Sequence, residues 1–323
     1  MNEKNTTIIT VVHLLGFQTP HAATCFLFFL FLLMYYVTIC ANLLIISLVS
    51  HSKSLHSPMY FFLSQLSVTD ILLSTDVLPN MLHSMLENNT AIISISNCIT
   101  QFYFFAVSET SECLLLTAMA YDRYVAICKP LHYTLLMSHQ FCWILVITSW
   151  SLSFLVGLIY TIEMSKLQFC SPNVINHFFC DLDPILQLSC SDTTIFQLQS
   201  TLTSVFFACT PVTIIIISYV YIIVTIFEIP SITGQQKVFS TCSSHLTVVS
   251  MFYGTLLFVY LVPKRGQLLE ITKFVSLLKF LSILYTALTP LMNPIIYSLR
   301  NKDLKQVIDR IVNNFFKFHL HKK

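Results

Sequence analysis

Charge is what this chain has least of: 10% of its 323 residues are Asp, Glu, Lys or Arg, where a soluble domain carries roughly a quarter. Glycine is scarce too, at 5 residues, and no low-complexity run occurs, so neither a flexible linker nor a disordered domain is indicated. There is no Gly-rich phosphate loop, zinc-binding His-Glu pair or nucleophile elbow, which argues against an enzyme. A net charge of +2 is too small to suggest nucleic acid as a partner. What is present instead is apolar: 55% of the residues are hydrophobic and the mean hydropathy is +0.74. Such a composition points to the bilayer as solvent.

About 30 Å of hydrocarbon crossed at 1.5 Å per residue asks for about 20 apolar residues. Seven segments meet that length, near 24–49, 58–82, 98–122, 141–162, 197–227, 238–262 and 271–297. Polar residues interrupt the second, third and seventh, which a bare hydropathy scan would mark down. The fold expected is an all-α membrane protein, a seven-helix bundle over 24–299 between an N-terminal segment, 1–23, and a tail, 300–323. The first span has 26 residues, too long for the core of a cleavable signal peptide, so it is expected to act as its own insertion signal.

Lys and Arg set the orientation. With the N-terminus outside, the inner segments hold Lys53, Arg123, Lys129, Lys237 and seven more in the tail, while the outer ones hold Lys4, Lys166, Lys264 and Arg265. The N-terminus is therefore expected outside and the C-terminus inside. Asn5-Thr6-Thr7 is a glycosylation sequon on the outer side, and Asn88-Asn89-Thr90 is a second match close to a helix end. In the tail, Leu304, Val307, Ile308, Ile311, Val312 and Phe315 recur at three- and four-residue steps among Lys302, Lys305 and Arg310. That pattern directly after a span predicts a short eighth helix lying in the membrane plane.

Of 11 cysteines, seven lie in or beside the spans, where small buried residues are the ordinary reading. Cys98, Cys170, Cys180 and Cys190 share the outer side, where disulfides form. Their residue types and spacing leave all three pairings open. Any of them would tie the second outer loop down as a lid.

An acid at the centre of a membrane helix costs roughly 2.5 to 3.5 kcal/mol, so it must face the bundle and find a partner. Asp70, Glu109, Glu112 and Asp122 are such acids, with Asp76 further out. On the third span Phe105, Ser108, Glu109, Glu112, Met119 and Arg123 keep to three- and four-residue steps or their multiples, which predicts one inward stripe. The stripe ends in Asp122-Arg123. A charged pair there can be satisfied internally in one state and by a partner protein in another, which makes it a switch candidate.

"MAYDRYVAICKPLHY", 119–133, resembles the end of the third helix and the second inner loop of the odorant receptors, a branch of the rhodopsin-like G-protein-coupled receptors. "LHSPMYFFLSQLSVTD" (55–70), "HFFCDLDPILQLSC" (177–190), "KVFSTCSSHL" (237–246) and "PLMNPIIYSLRN" (290–301) are similar to further patterns of that family, in the right order. The resemblance implies that Arg123, flanked by Asp122 and Tyr124, engages a G protein once the sixth helix swings out, and that Tyr219 and Tyr297 rearrange towards it. It implies the same coupling role for Asn293 and Pro294 of the "NPIIY" run, and a sodium-type cavity around Asp70 and Glu112, with Asn42 and Asn293 nearby. It implies disulfides Cys98 with Cys180 and Cys170 with Cys190. The partners implied are a small volatile odorant, the lipid bilayer and a stimulatory olfactory-type G protein that raises cyclic AMP, at the plasma membrane. Ala41-Asn42 departs from the family's usual Gly-Asn, the third inner loop (Gly234 to Lys237) is less basic than usual, and Glu109 stands where the family often has a small or neutral residue.

A pocket for such a ligand is aromatic and aliphatic with a few orienting polar groups. Phe105, Ser108 and Glu109 supply one wall; Thr203 and Phe207, four apart, and Tyr253 and Tyr260, seven apart, each keep one face. In the family's arrangement these faces converge beneath the second outer loop. Glu109 is expected to be protonated in the empty pocket and to hydrogen-bond a polar or amine-bearing odorant. A transporter or proton channel would also place acids in a bundle, but it predicts repeats and broken helices, and no repeat relates the seven spans. The alternative kept is a rhodopsin-like receptor for a non-odorant small molecule in a non-olfactory tissue.

Overall fold

A computed structural model describes residues 9–87, 89–170, 172–261, 277–300 and 304–310. Its long helices are α1 (His21–His51), α2 (Pro58–Leu86), α3 (Ile95–Cys128), α5 (His139–Ser165), α7 (Thr194–Glu228) and α8 (Ile232–Leu261). The seventh span, α9, is helical over 277–300, with one π-type turn at Leu284–Leu288. Two short helices lie in the connections, α4 (Tyr133–Leu136) and α6 (Leu182–Leu186).

α1, α3, α5 and α7 start before their apolar runs and end after them, whereas α2 starts on Pro58, at the start of its run, and α8 ends at Leu261, one residue short of its run. Ser94 Oγ accepts from the Asn97 amide at 3.2 Å, and Ser138 Oγ from the Phe141 amide at 3.3 Å, so α3 and α5 each start on a serine cap. Among the described residues, α1, α2, α5, α7 and 277–298 of α9 are long and apolar enough to cross a membrane. The third span falls short of that standard, as its polar residues predict, whereas the second and seventh meet it. α8 carries Ser240, Ser243, Ser244 and His245 in its first half, and the side chains of its apolar outer end, 257–261, lie outside the described residues.

α3 runs through the middle of the bundle, packed against α2, α5, α7 and α8. Apolar side chains point both ways: Phe62, Leu66, Leu115 and Met119 are fully buried, while Phe29, Leu33, Ile147 and Ile216 are exposed on the bundle's rim, where lipid is the expected neighbour. One apolar cluster fills the end that carries Arg123, called here the inner end, and a second fills the outer end beneath the disulfide-tied loop. Leu304 and Val307 of the helical segment 304–310 pack into the inner cluster, while Ile311, Val312 and Phe315 lie outside the described residues.

α3 packs tightly against α5 at Gly157. A Cβ there would come within 2.9 Å of Val107 Cγ2 and 3.0 Å of Tyr103 Cδ2. Gly157→Val is therefore expected to lower stability by about 1–3 kcal/mol through overpacking. The check is the melting temperature of detergent-purified receptor beside wild type.

The outer surface holds a feature that hydropathy does not announce. β1 (Val11–Leu15) is the centre of a three-stranded sheet, antiparallel to β2 (Thr90–Ser94) and parallel to β3 (Val174–Ile175). The N-terminal segment is thus woven into the first and second outer loops. Lys279 of α9 fastens it, its Nζ donating to the carbonyls of Leu15 at 2.9 Å and Gly16 at 3.0 Å and to Asn176 Oδ1 at 2.8 Å. Asn5 and Asn88, the sequon asparagines, lie outside the described residues.

Candidate functional site

Two disulfides pin the lid, Cys98–Cys180 with Cα atoms 5.4 Å apart and Cys170–Cys190 with Cα atoms 5.8 Å apart. The first pulls the loop onto the top of α3, where the Cys180 amide donates to Gln101 Oε1 at 3.0 Å and Gln101 Nε2 donates to the Asp76 carbonyl at 2.8 Å. Phe179 lies against Phe105, ring centroids 5.1 Å apart, and both are buried.

Beneath this lid is a cavity of about 110 Å³. α3 lines it with Phe102, Phe105, Glu109 and Cys113, α5 with Val156 and Tyr160, and α7 with Thr203, Ser204 and Phe207. Leu256 of α8 and Asp181 and Leu182 of the lid complete the wall. That volume lies well below the roughly 300–1,000 Å³ of drug-sized sites, so it suits a very small guest.

Phe105, Glu109, Thr203 and Phe207 line the cavity, as their spacing predicts. Ser108 does not, because at 3.6 residues per turn it sits about 100° round the helix from Glu109. It is buried, with no hydrogen-bond partner for its hydroxyl among the described residues. Tyr253 is likewise off the wall: its hydroxyl donates to the Cys113 carbonyl at 3.3 Å, a link between α8 and α3, and Leu256 one turn later takes the wall position. The Tyr260 side chain lies outside the described residues. Sequence reasoning missed Phe102, Tyr160, Asp181 and Leu182. Phe102 had a signal, since it extends the stripe one step above Phe105.

Below the cavity, Asp70, Glu112, Asn42 and Asn293 are buried together. Asn293 Nδ2 donates to Asp70 Oδ1 at 2.9 Å and to Glu112 Oε1 at 3.3 Å, and Asn42 Nδ2 donates to the Pro290 carbonyl at 3.1 Å. Asp70 Oδ2 and Asn293 Oδ1 have no hydrogen-bond partner among the described residues. Such oxygens suit a hard cation, which takes oxygen ligands.

At the inner end Asp122 is fully buried and the Arg123 side chain 14% exposed. Arg123 Nε donates to Asp122 Oδ2 at 2.9 Å, one of its terminal nitrogens makes a second bond to the same oxygen, and Tyr133 donates to Asp122 Oδ1 at 2.8 Å. Tyr124 lies half-buried near the Lys129 ammonium, 5.7 Å from its ring centroid. Tyr219 and His245 Nδ1 are hydrogen-bonded at 2.8 Å, and His245 Nε2 lies 3.1 Å from the Leu116 carbonyl. His245 thereby joins α7, α8 and α3 at one point. Its signal was a histidine within an otherwise uncharged span. Tyr297 of α9 is buried with its hydroxyl unpartnered among the described residues, one turn beyond Pro294.

The lid has one titratable group whose setting gives a pH dependence. His177 is buried, accepts from the Phe179 amide through Nδ1 at 3.4 Å and places Nε2 3.3 Å from Ser282 Oγ. Burial and then the nearby Lys279 charge lower its pKa from 6.5 to about 3. Between those values an opened lid binds a proton that the closed lid does not, so closure is favoured above pH 6.5 and weakens as pH falls towards 3. The melting temperature of purified receptor is expected to drop between pH 7.5 and about pH 5, and His177→Gln to flatten that drop.

A long-helix membrane bundle with a small cavity beneath a disulfide-tied lid has the form of a small-molecule receptor. A family model described as "Olfactory receptor" matches residues 31–315. Olfactory receptor 1468 of Rattus norvegicus is 42% identical over 314 residues, covering 97% of either chain. Olfactory receptor 11L1 of Homo sapiens is 43% identical over 312 residues, 97% of this chain and 95% of its own. Olfactory receptor 5G25 of Mus musculus is 43% identical over 323 residues, all of this chain and 99% of its own. The chain belongs to the olfactory receptor family, and is thus a G-protein-coupled membrane receptor rather than an enzyme.

Proposed function

We propose that this chain binds a small volatile odorant in the cavity lined by Phe105, Glu109, Thr203 and Phe207 and activates a stimulatory olfactory-type G protein, raising cyclic AMP. It would do so at the plasma membrane, with the N-terminus outside. The observation that supports the reading is a small cavity on α3 with the Asp70–Asn293–Glu112 cluster below it and, at the inner end of the same helix, the separate Asp122–Arg123 pair.

A ligand can drive signalling only if it binds one arrangement better than another. Leu256 meets the ligand, and Tyr253 on the same helix bonds the Cys113 carbonyl. Contacts that draw the outer half of α8 towards α3 bias a tilt of the whole helix, because a packed helix moves as a unit. At its other end the tilt would strain the bonds of His245 to Tyr219 and Leu116. Tyr219 and Tyr297 then become available to Arg123, and a groove opens for a helix of the G protein. A sodium ion held by Asp70 and Glu112, with Asn293, would neutralise the buried acids and favour the resting arrangement.

The test is a cyclic AMP reporter in cells expressing the chain with the olfactory G protein, with surface staining, across amines, acids and alcohols. A dose-dependent rise supports the reading. Silence from a well-displayed receptor across a broad panel counts against it.

A further inference from the structure

Resting on the reading that this cavity is the ligand site, we infer that the ligand reaches it from the lipid bilayer, through a side opening between α5 and α7 that the Tyr160 ring gates. α5 and α7 each pack along α3 but touch one another little. The cavity lies at that seam: Val156 and Tyr160 line it from α5, and Thr203, Ser204, Phe207 and Ala208 from α7. Ser204 is at once a wall residue and an exposed one, so the wall reaches the outer surface of the bundle there. Leu202, Val205 and Phe206 beside it are exposed and apolar, as side chains set against lipid are. Counted from the expected span ends at 162 and 197, Val156 and Ser204 lie about 10 Å inside the apolar layer. The opening therefore faces acyl chains rather than water.

Tyr160 closes the seam. It is buried, its ring centroid lies 6.1 Å from that of Phe102 and 5.9 Å from that of Phe196, and its hydroxyl stands beside the Thr203 and Ser204 side chains. A hydroxyl at this depth keeps such neighbours because hydrocarbon offers none, and the contact latches the ring across the seam. Opening needs a new rotamer of one side chain. The competing route from water, past the half-buried Leu182 of the roof, needs movement of a loop tied by two disulfides. An apolar guest is also more concentrated in lipid than in water, by about fourfold for each methylene it carries. The ligand class such an opening admits is a compound that dissolves in hydrocarbon.

The test follows entry directly, with 2,2,2-trichloroethanol as probe, a small quencher of indole fluorescence that partitions between lipid and water. Trp143→Phe and Trp150→Phe remove the two native indoles, and Phe102→Trp puts one on the cavity wall. The full-length receptor is held in phosphatidylcholine nanodiscs and mixed with the probe by stopped flow, then diluted to follow exit. Ser204→Phe, at a lipid-facing position where a ring is tolerated, is expected to slow entry and exit alike by about tenfold or more. Tyr160→Phe keeps the ring and drops the latch, and should speed both by about two- to tenfold, the worth of a neutral hydrogen bond. Quenching at equilibrium should change by less than about twofold in either, because a gate alters the barrier and leaves the bound state alone. Leu182→Phe should leave both rates within about twofold of the parent. Melting temperatures establish folding, and Val156→Phe plugs the same seam from α5 if Ser204→Phe does not fold.

Rates unmoved by the seam plugs, or slowed as much by Leu182→Phe, overturn the inference. A plug that changes equilibrium quenching but neither rate does the same, since it marks a wall and not a passage. So does an indole that the probe never quenches. Seam-controlled entry in a receptor whose cyclic AMP signal stays silent across the odorant panel supports the opening and counts against the ligand reading. Odorant signalling with rates indifferent to the seam sinks the opening and leaves the ligand reading standing.

Discussion

Arg123→Ala is expected to abolish the ligand-driven cyclic AMP response at unchanged surface display, the largest functional loss from a single substitution in this molecule. The guanidinium makes two bonds to Asp122, and Tyr133 holds the other carboxylate oxygen. The acid is thus fully committed in the resting arrangement, and Arg123 is the cation at the inner end that a partner helix could recruit. Removing the arginine alone leaves a buried carboxylate short of its charge partner, which costs up to about 3–5 kcal/mol for a fully buried pair. The 14% exposure of Arg123 and the remaining Tyr133 bond reduce that figure. Asp122→Asn/Arg123→Ala removes the stranded charge and should be equally silent. Asp122→Asn alone should do the opposite. It weakens a charge-assisted bond worth about 1.5–3 kcal/mol and frees the guanidinium, so signal without ligand should rise, by at most about ten- to a hundredfold in active population. A responsive Arg123→Ala receptor, or an Asp122→Asn receptor with no change in basal signal, would show that this pair is structural only.

The seven spans were legible because burial in hydrocarbon is a local demand: each segment has to be long and apolar by itself. α8 is the instructive case. Its Ser- and His-bearing half is less apolar than a lone span should be, and it is tolerated because Ser244 and His245 are buried against the bundle rather than set in lipid. The outer sheet was not legible, since its partners, Val11–Leu15, Thr90–Ser94 and Val174–Ile175, come from three separate segments and no one of them shows the pairing. Even so, the burial of Val12 and Leu14 follows the alternation of a strand with one face covered. The same division holds at the cavity. Phe105 and Glu109 share a helix face, so periodicity finds them, whereas Asp181 and Leu182 reach the cavity through a loop whose course depends on which cysteine Cys98 binds. Residues left that pairing open, and the two lid residues could not be placed without it.

The lid tether carries the second large effect. Cys98→Ser/Cys180→Ser is expected to lose both surface display and ligand response, whereas Cys170→Ser/Cys190→Ser should retain part of each. Removing a native disulfide from a small folded unit costs about 2–5 kcal/mol, and chain-entropy arguments favour the longer ring: the sequence separations are 82 and 20. In a membrane that entropy difference shrinks, because inserted helices already hold the loop ends near one another when tertiary packing is lost. What separates the two bridges is position. Cys180 is completely buried and its amide is bonded to Gln101 of α3, so the first bridge fixes the depth of the loop, while Cys190 is exposed and the second bridge closes a ring within the loop itself. Asp181 and Leu182 follow Cys180 directly and roof the cavity. Ligand potency should therefore track the first bridge among receptors that reach the surface. If the Cys170–Cys190 pair proves the more damaging to potency, the loop's internal shape governs the roof, and Asp181 is held over Glu109 by the ring rather than by its anchor on α3.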